Sequence, residues 1–434
     1  MKRSSLTDRS LADWLRWLEQ SHPKEIDLGL DRIRKVAERL DLLKPRAKVI
    51  TVAGTNGKGS CVTATAALLH AAEFSVGVYT SPHLLHYAER IQINGKPVAD
   101  EMICAAFEEI SNSAAEISLT YFEYGTLAAL VIFKQQNVDF IVLEVGLGGR
   151  LDAVNIIDAN IAVITSIAID HQDWLGDNRE VIGREKAGIL REQQVFVCAD
   201  ENPPETILDL AAQLNTQAHF IGSDFLFTAE KNTWQWSGKS SFGNSITLPQ
   251  MHAPHLPLPS MAAALQVIYL LGIELTSEQI ESTLTNVNLA GRFQKIVYCD
   301  REFILDVAHN PAATEYFSTR LAADPISGNT YAVVAMMSDK DRIASLANLT
   351  PLVDQWFLLD LKNIPRAATI AALTQDLLSL DTQVEDSGDI DILISKLLAV
   401  TNPKDRILVF GSFFTVAAAL AHIQANSSAS RGTL

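Results

Sequence analysis

Cysteine is scarce in this chain, long apolar runs are missing, and positive charge falls short of negative. Each shortage removes a class of function. The four cysteines in 434 residues, Cys61, Cys104, Cys198 and Cys299, are widely spaced and form no C-x-x-C pair. That spacing argues against a disulfide framework or a zinc site and suits reduced thiols in the cytoplasm. After Met1-Lys2-Arg3-Ser4-Ser5 the chain continues with Leu6-Thr7-Asp8 and not with an apolar segment, so no secretory signal is expected. No stretch is long and apolar enough for a membrane span. Lys and Arg number 35 against 51 Asp and Glu, a formal charge of −16. Broad contact with nucleic acid or anionic lipid needs positive surface, so both partners are excluded as general ligands. A local basic pocket for small anions stays compatible with that balance.

What is present is ordinary globular sequence, 48% hydrophobic and 20% charged, long enough for two or three domains. Apolar spacing predicts helices in the first ~45 residues, with Leu11, Trp14, Leu15 and Leu18 on one face and Ile33, Val36, Ala37 and Leu40 on another. A polar loop, 21–30, separates them. From residue 48 onward strands and helices alternate. Strands are predicted at 49–53, 76–79, 140–145, 161–165 and 195–198, and helices at 58–72, 100–117 and 122–136. Strands that are apolar throughout imply a parallel sheet covered on both faces. Phe225-Leu226-Phe227 and Trp234-Gln235-Trp236 alternate among Gly, Ser and Asn, and read as short antiparallel strands. Helices follow at 261–271 and 277–285. A second α/β cycle starts after Gly291-Arg292-Phe293, with strands at 303–307, 331–336, 356–360 and 407–410. The domain boundary is therefore expected near residue 295, with closely packed domains and a cleft between them. Residues 426–434, rich in Ser, read as a disordered tail.

The strongest chemical signal is Gly54-Thr55-Asn56-Gly57-Lys58-Gly59-Ser60, directly after the apolar run Val49–Ala53. A buried strand that breaks into a glycine-rich turn and opens a helix is a phosphate cradle. Glycines let backbone N–H groups approach phosphate oxygens, and the helix dipole adds positive potential. Lys58 supplies a point charge, and Ser60 can offer a hydroxyl to magnesium. The turn is shorter than the usual P-loop, and Gly59 stands where that pattern has Ser or Thr. A strand–turn–helix joint with chance glycines is the plain alternative.

Other candidates sit at strand ends, where ligands bind in open parallel sheets. Glu144 closes one strand and precedes Gly146-Leu147-Gly148-Gly149-Arg150-Leu151-Asp152, a position suited to holding magnesium. Ser81, in Thr80-Ser81-Pro82-His83, is a metal ligand, a phosphate contact or only the start of a turn. His171, in Ile169-Asp170-His171, is structural or a ligand. Lys186 precedes Gly188, which reads as a helix C-cap, and its spacing alone gives it no role beyond complementing the helix terminus. Asp306 and His309 could bond a ribose, and Asn310 reads as an N-cap before Pro311.

Taken together, these segments resemble the folylpolyglutamate synthase/dihydrofolate synthase family of the Mur ligase superfamily. The matching pieces run from Leu28 to Thr415: GTNGKGS at Gly54, TSPHL at Thr80, TYFE at Thr120, EVGLGGRLDAVN at Glu144, DH at Asp170, EKAGI at Glu185, GRFQ at Gly291, DVAHNP at Asp306, DKD at Asp339 and GSFFT at Gly411. The resemblance implies an α/β fold: a P-loop-containing parallel-sheet ATPase domain over 1–295, then a smaller Rossmann-like α/β domain over 296–425. It implies a reaction too. ATP phosphorylates a carboxylate, the amino group of L-glutamate attacks the acyl phosphate, and an amide forms. The acceptor is 7,8-dihydropteroate or the γ-carboxyl of a reduced folate, and TYFE with its neighbours favours the bifunctional members.

The same resemblance assigns roles. Gly54, Thr55, Asn56, Gly57, Lys58, Gly59 and Ser60 hold the triphosphate. Ser81 and Glu144 serve a first magnesium, and Glu144, His171 and Lys186 a second, with the Ser60 hydroxyl as a further metal candidate and potassium as a further ion. A protonated lysine cannot ligate a metal, so Lys186 is expected to be carbamylated. Catalysis is assigned to Lys58, Glu144, His171 and Lys186. Arg292, Asp306, His309 and Asn310 are implied ATP contacts. Leu28, Gly29, Leu30, Thr120, Phe122 and Asp152 are implied on the pteroate side, where Phe122 can stack on a flat ring. Ser260 stands where relatives commonly have Asn, and Phe414 sits in a segment that often carries His or Tyr. The partners expected are small-molecule substrates for a cytoplasmic monomer. Folylpolyglutamate synthesis alone, a P-loop kinase or switch, and a non-catalytic nucleotide-binding module are the alternatives. A cell-wall Mur ligase fits less well, because only 53 residues precede Gly54, too few for an added substrate-binding domain.

Overall fold

The computed structural model describes residues 9–24 and 26–429, and the chain divides into two compact units, Met1–Val287 and Asn288–Leu434. The division falls ahead of residue 295. Gly291 already belongs to the second sheet's surroundings, since its carbonyl accepts the N–H of Val307 at 2.9 Å.

The first unit is built on an eight-stranded sheet: β1 (Lys48–Ala53), β2 (Val76–Tyr79), β3 (Ile91–Ile93), β4 (Lys96–Pro97), β5 (Phe140–Glu144), β6 (Ile161–Ile164), β7 (Val195–Cys198) and β8 (Gln217–Phe220). Their spatial order is β4-β3-β2-β5-β1-β6-β7-β8. The six strands from β2 to β8 are parallel, and β3 and β4 add an antiparallel edge. β1 lies between β5 and β6, with Val52 opposite both Glu144 and Val163. The turns after β1, β5 and β6 therefore emerge side by side, and these carry the candidate residues.

The strands of this centre are apolar because helices cover both faces. Helix Lys58–Ala71 is buried almost all round, which explains why its sequence shows little amphipathic pattern. Helix Tyr121–Gln136 buries eleven consecutive residues, Glu123–Phe133. The opening helices Leu11–Ser21 and Asp31–Arg39 use the predicted faces, burying Leu11, Trp14 and Leu18, and Ile33, Val36 and Ala37. Helix Asp100–Ala114 ends three residues earlier than its apolar pattern suggests, at Ala115 with φ 50°.

A small antiparallel ribbon follows: β9 (Leu226–Glu230), β10 (Thr233–Lys239), β11 (Ser245–Thr247) and β12 (Met251–His252). Trp236 anchors it. Its indole Nε1 donates to the carbonyl of Ala262 at 3.1 Å, and its ring stacks on Tyr269 at 5.1 Å. Helix Leu258–Leu270 starts three residues before the expected Met261, because Pro259 fits its first turn.

The second unit holds β13 (Gln294–Tyr298), β14 (Arg301–Asp306), β15 (Thr330–Val334), β16 (Gln355–Leu359), β17 (Val384–Gly388) and β18 (Arg406–Phe410), in the order β13-β14-β18-β15-β16-β17. All are parallel except β13. Its own core packs Phe317, Trp356 and Phe410. Helix Phe413–Ala429 continues through Asn426, so the reading of a disordered tail from 426 is corrected: the alanine-rich helix carries four residues into it. Residues 430–434 lie outside the described residues.

All four cysteines are free thiols. Among the described residues no helix is long and apolar enough to cross a membrane.

Candidate functional site

The turn Gly54–Gly57 leaves β1 and opens helix Lys58–Ala71 with Gly57 in the left-handed region, φ 85°. A side chain at Gly54, φ 145°, would put its Cβ 1.9 Å from the Oγ1 of Thr165; one at Gly57 would meet the Ser260 hydroxyl at 2.6 Å. Both glycines are therefore required by space and by backbone angle. The turn is held from the end of β6. Thr165 and Ser166 hydroxyls donate to the Asn56 carbonyl at 2.7 and 3.1 Å. The Thr55 hydroxyl donates to the carbonyl of Ala168 and accepts its N–H. Sequence reasoning missed Thr165 and Ser166. Their signal was position alone, directly after a buried strand.

Two lysines converge on one carbonyl. Lys58 Nζ donates to the carbonyls of Gly54 and Thr55, each at 3.1 Å. Lys186 Nζ donates to the same Gly54 oxygen at 2.8 Å. Lys186 is 4% exposed and turned into the interior, so it does more than complement its helix end. Burial, reinforced by the charge of Lys58, brings its amine down to about 7, against the pull of Asp170 and Asp152. Gly188 does cap that helix, in the right-handed region at φ −62°.

Carboxylates stand at the neighbouring strand ends. Glu144 is buried, and its Oε2 accepts the backbone N–H of Ser81 at 3.1 Å, which joins the ends of β2 and β5. Asp152 is buried too. It accepts the N–H groups of Leu147 and Val154 at 2.8 and 3.1 Å, which fixes the glycine loop after β5. Burial pushes its carboxyl up to about 6. Phe122 packs its ring over Gly146, where a Cβ would lie 2.5 Å from the ring, and tilts against Tyr79 at 5.9 Å. His171 adopts φ 52° and opens a short helical turn, with its Nε2 4.0 Å from Asp170.

The segment after β2 has an organiser that sequence reasoning passed over. Glu89 accepts the N–H groups of Leu84, Leu85 and His86 at 2.7–2.9 Å. Arg90, buried, donates from Nε to Nδ1 of His83 at 2.8 Å.

Thr120 is a helix cap. Its hydroxyl accepts the N–H of Glu123 at 3.2 Å, while Glu123 accepts the Thr120 N–H at 2.7 Å. Glu123 also pairs with Arg32 at 3.2 Å, which ties helix Tyr121–Gln136 to the segment just after Leu28, Gly29 and Leu30. Ser260 donates its hydroxyl to the Gly57 carbonyl at 3.2 Å, so the residue at this position braces the turn.

Arg292, Asp306, His309 and Asn310 gather in the second unit. Asp306 closes β14 and accepts the N–H groups of Phe293 and Ala308, each at 2.8 Å; burial raises its carboxyl, with Arg292 opposing. His309 Nδ1 lies 2.8 Å from the Val307 carbonyl. Asn310 caps helix Pro311–Ala322 by accepting the N–H of Ala313 at 2.9 Å, as expected. Arg292 lies over the ring of Phe413 at 5.2 Å, and Phe414 is exposed.

The residues of the turn fit a magnesium-bound nucleotide. The Ser60 Oγ is buried with no hydrogen-bond partner among the described residues, a donor set aside at the first turn of the helix. Among the described residues no three His, Cys, Asp or Glu side chains alone form a metal-binding group.

A glycine turn between a central parallel strand and a buried helix, with two lysines on it, defines a P-loop nucleotide-binding protein. Residues 52–249 match the Mur ligase middle domain, and residues 291–413 match the Mur ligase glutamate ligase domain. The dihydrofolate synthase/folylpolyglutamate synthase of Escherichia coli (strain K12) is 42% identical over 431 residues, 99% of this chain and 99% of that protein. The fold matches E. coli FolC in complex with DHPP and ADP, TM-score 0.92 and 41% identity over 98% of this chain and 100% of that one. It also matches a bifunctional folylpolyglutamate synthase/dihydrofolate synthase with Mn, AMPPNP and L-glutamate bound, TM-score 0.88 and 43% identity, covering 98% of this chain and 100% of that one. The chain belongs to the dihydrofolate synthase/folylpolyglutamate synthase family of Mur ligases.

Proposed function

We infer that this protein is an ATP-dependent amide ligase that adds L-glutamate to 7,8-dihydropteroate and to the γ-carboxyl of reduced folates. The observation that carries the reading is the Gly54–Ser60 turn with Lys58 and buried Lys186 on one carbonyl. A carboxylate is a poor electrophile and must be activated. Its oxygen attacks the γ-phosphorus of ATP, ADP leaves, and an acyl phosphate remains. The amine of glutamate then attacks the acyl carbon, phosphate departs and the amide forms. Two anions meet in the first step, and the cations of the turn offset their repulsion. A divalent metal, when bound, supplies further positive charge at the transferred phosphoryl group.

Ser60, Ser81, Glu144, His171 and Lys186 are the proposed metal ligands, in two sites. Lys186 is proposed to carry a carbamate: neutral Nζ attacks carbon dioxide, loses a proton and becomes an anionic oxygen ligand. A buried amine lowered to about 7 supplies the neutral form near physiological pH. Protein equilibrated with 13C-bicarbonate is expected to show a carbamate carbon signal that Lys186→Gln loses; no such signal in the unsubstituted protein would sink that idea. Leu28–Leu30, Phe122 and Asp152 are proposed on the pteroate side, with Thr120 supporting them as a cap. For Arg292, Asp306, His309 and Asn310 the proposal is contact with the nucleotide. A cytoplasmic monomer completes the reading.

The test is ADP release with L-glutamate, run separately with dihydropteroate and a reduced folate, with product masses checked. Amide from both acceptors supports the bifunctional reading; amide from the folate alone restricts it. Glu144→Ala is expected to lose product formation with its fold intact, and full activity in that variant removes the metal-ligand proposal.

A further inference from the structure

Although the chain carries a charge of −16, one cavity of about 350 Å³ in the first unit is lined by four cations: Arg34, Lys44, Arg46 and Lys48. Arg34 comes from helix Asp31–Arg39, Lys44 and Arg46 from the connection after it, and Lys48 opens β1. No ion pair or side-chain hydrogen bond engages any of the four among the described residues. Their neighbours behave otherwise. On the same helix Arg32 pairs with Asp27 and Glu123, and Arg39 with Glu116. The one carboxylate on the rim, Asp158, is engaged by Arg191, whose Nε donates to its Oδ1 at 2.5 Å. Asn160 accepts the Val49 N–H through Oδ1 at 2.7 Å, which leaves its NH2 group as a further donor at the rim.

Four like charges lining one cavity repel one another, and an anion held among them offsets that repulsion. One monovalent ion offsets little of that. A ligand with several closely spaced negative charges matches it. The wall is not wholly polar: Leu43 and Ile156 contribute apolar surface, which suits a chain with methylene spacers. The cavity lies at the opposite end of β1 from the Gly54–Ser60 turn, about 20 Å away at ~3.3 Å per residue, so it is separate from the phosphate cradle.

We propose that this cavity is a second anion site, which binds a short chain of carboxylates or phosphates, and that its ligand is an oligo-γ-glutamyl chain. The identity of that chain rests on the functional reading above. Each added glutamate leaves one more free carboxylate two methylenes from the next amide, so the product itself becomes the polyanion. Inorganic polyphosphate is the other source of the same chemistry.

The test is calorimetric titration of γ-linked pentaglutamate and, separately, tripolyphosphate. The protein is first saturated with magnesium and a non-hydrolysable ATP analogue so that the nucleotide turn is filled. Wild type is compared with the double variant Lys44→Glu/Arg46→Glu, both positions being exposed. Unchanged thermal unfolding confirms that the variant is folded. Pentaglutamate is expected to bind wild type and to weaken by about tenfold or more in the variant. Such a loss for tripolyphosphate alone keeps the anion site and overturns its glutamyl ligand. Equal binding by both proteins, or none by wild type, overturns the site. ADP release with a monoglutamyl folate, run on the same wild-type preparation, judges the functional reading separately.

Discussion

At the scale of single residues, chemistry here depends on which protonation state the interior tolerates. His83 is the clearest case. Burial, and then the charge of Arg90, bring its ring down to about 4 from the ordinary 6.5, and its Nδ1 accepts the Arg90 Nε–H only while neutral. The folded pKa lies below the unfolded one, so between about 4 and 6.5 the unfolded chain binds more protons, and stability rises with pH across that window. Above it the contact is intact; below it the cost of charging the ring is complete. Urea midpoints measured across the window are expected to climb with pH, and His83→Gln to flatten the climb. An equal slope in both proteins contradicts the assignment. Lysine chemistry was only half legible in the sequence. Lys58 announced itself by its glycines, whereas nothing in the spacing of Lys186 revealed that its amine reaches the Gly54 carbonyl. Contacts of that kind link residues 132 positions apart, and no local pattern encodes them.

At the scale of elements, turns and caps position the site, and their replacement has readable effects. Gly54→Ala would place a methyl against Thr165 and hold φ near 145°, a region that costs a non-glycine residue about 1–3 kcal/mol. Nucleotide affinity is expected to fall by about tenfold or more, with circular dichroism unchanged. Thr120→Ala removes one half of a reciprocal cap, and a loss of about 1 kcal/mol in denaturant stability is expected. A neutral result there would mean that the Arg32–Glu123 pair holds the helix end without the hydroxyl. Legibility also differed by element. Strands covered on both faces, such as β1 and β5, stood out as apolar runs. β17 did not: Val384-Glu385-Asp386-Ser387-Gly388 lies at a sheet edge, where the polar residues have water to face. β4, only Lys96–Pro97, is too short to carry any period.

For the whole molecule, the two units each have a sheet and a core of their own. Residues 288–434 expressed alone are therefore expected to fold, seen as dispersed amide NMR signals and a cooperative thermal transition; a collapsed, non-cooperative fragment would count against that independence. The repeated strand–helix alternation made both α/β units legible in the sequence, while the side-by-side placement of the turns after β1, β5 and β6 depended on a strand order that the sequence does not spell out. That order has a further consequence, for synthesis. The Asn56 carbonyl is held by Thr165, 109 positions further along, and the Thr55 hydroxyl by Ala168, 113 positions on. A chain synthesised only as far as the glycine turn lacks both of these partners. Pairings so remote form slowly, since a long chain segment must close before any of them gains a partner. Competence to hold a nucleotide thus arises in one step, when β6 docks beside β1, and a nascent chain has no partial version of it to expose beforehand.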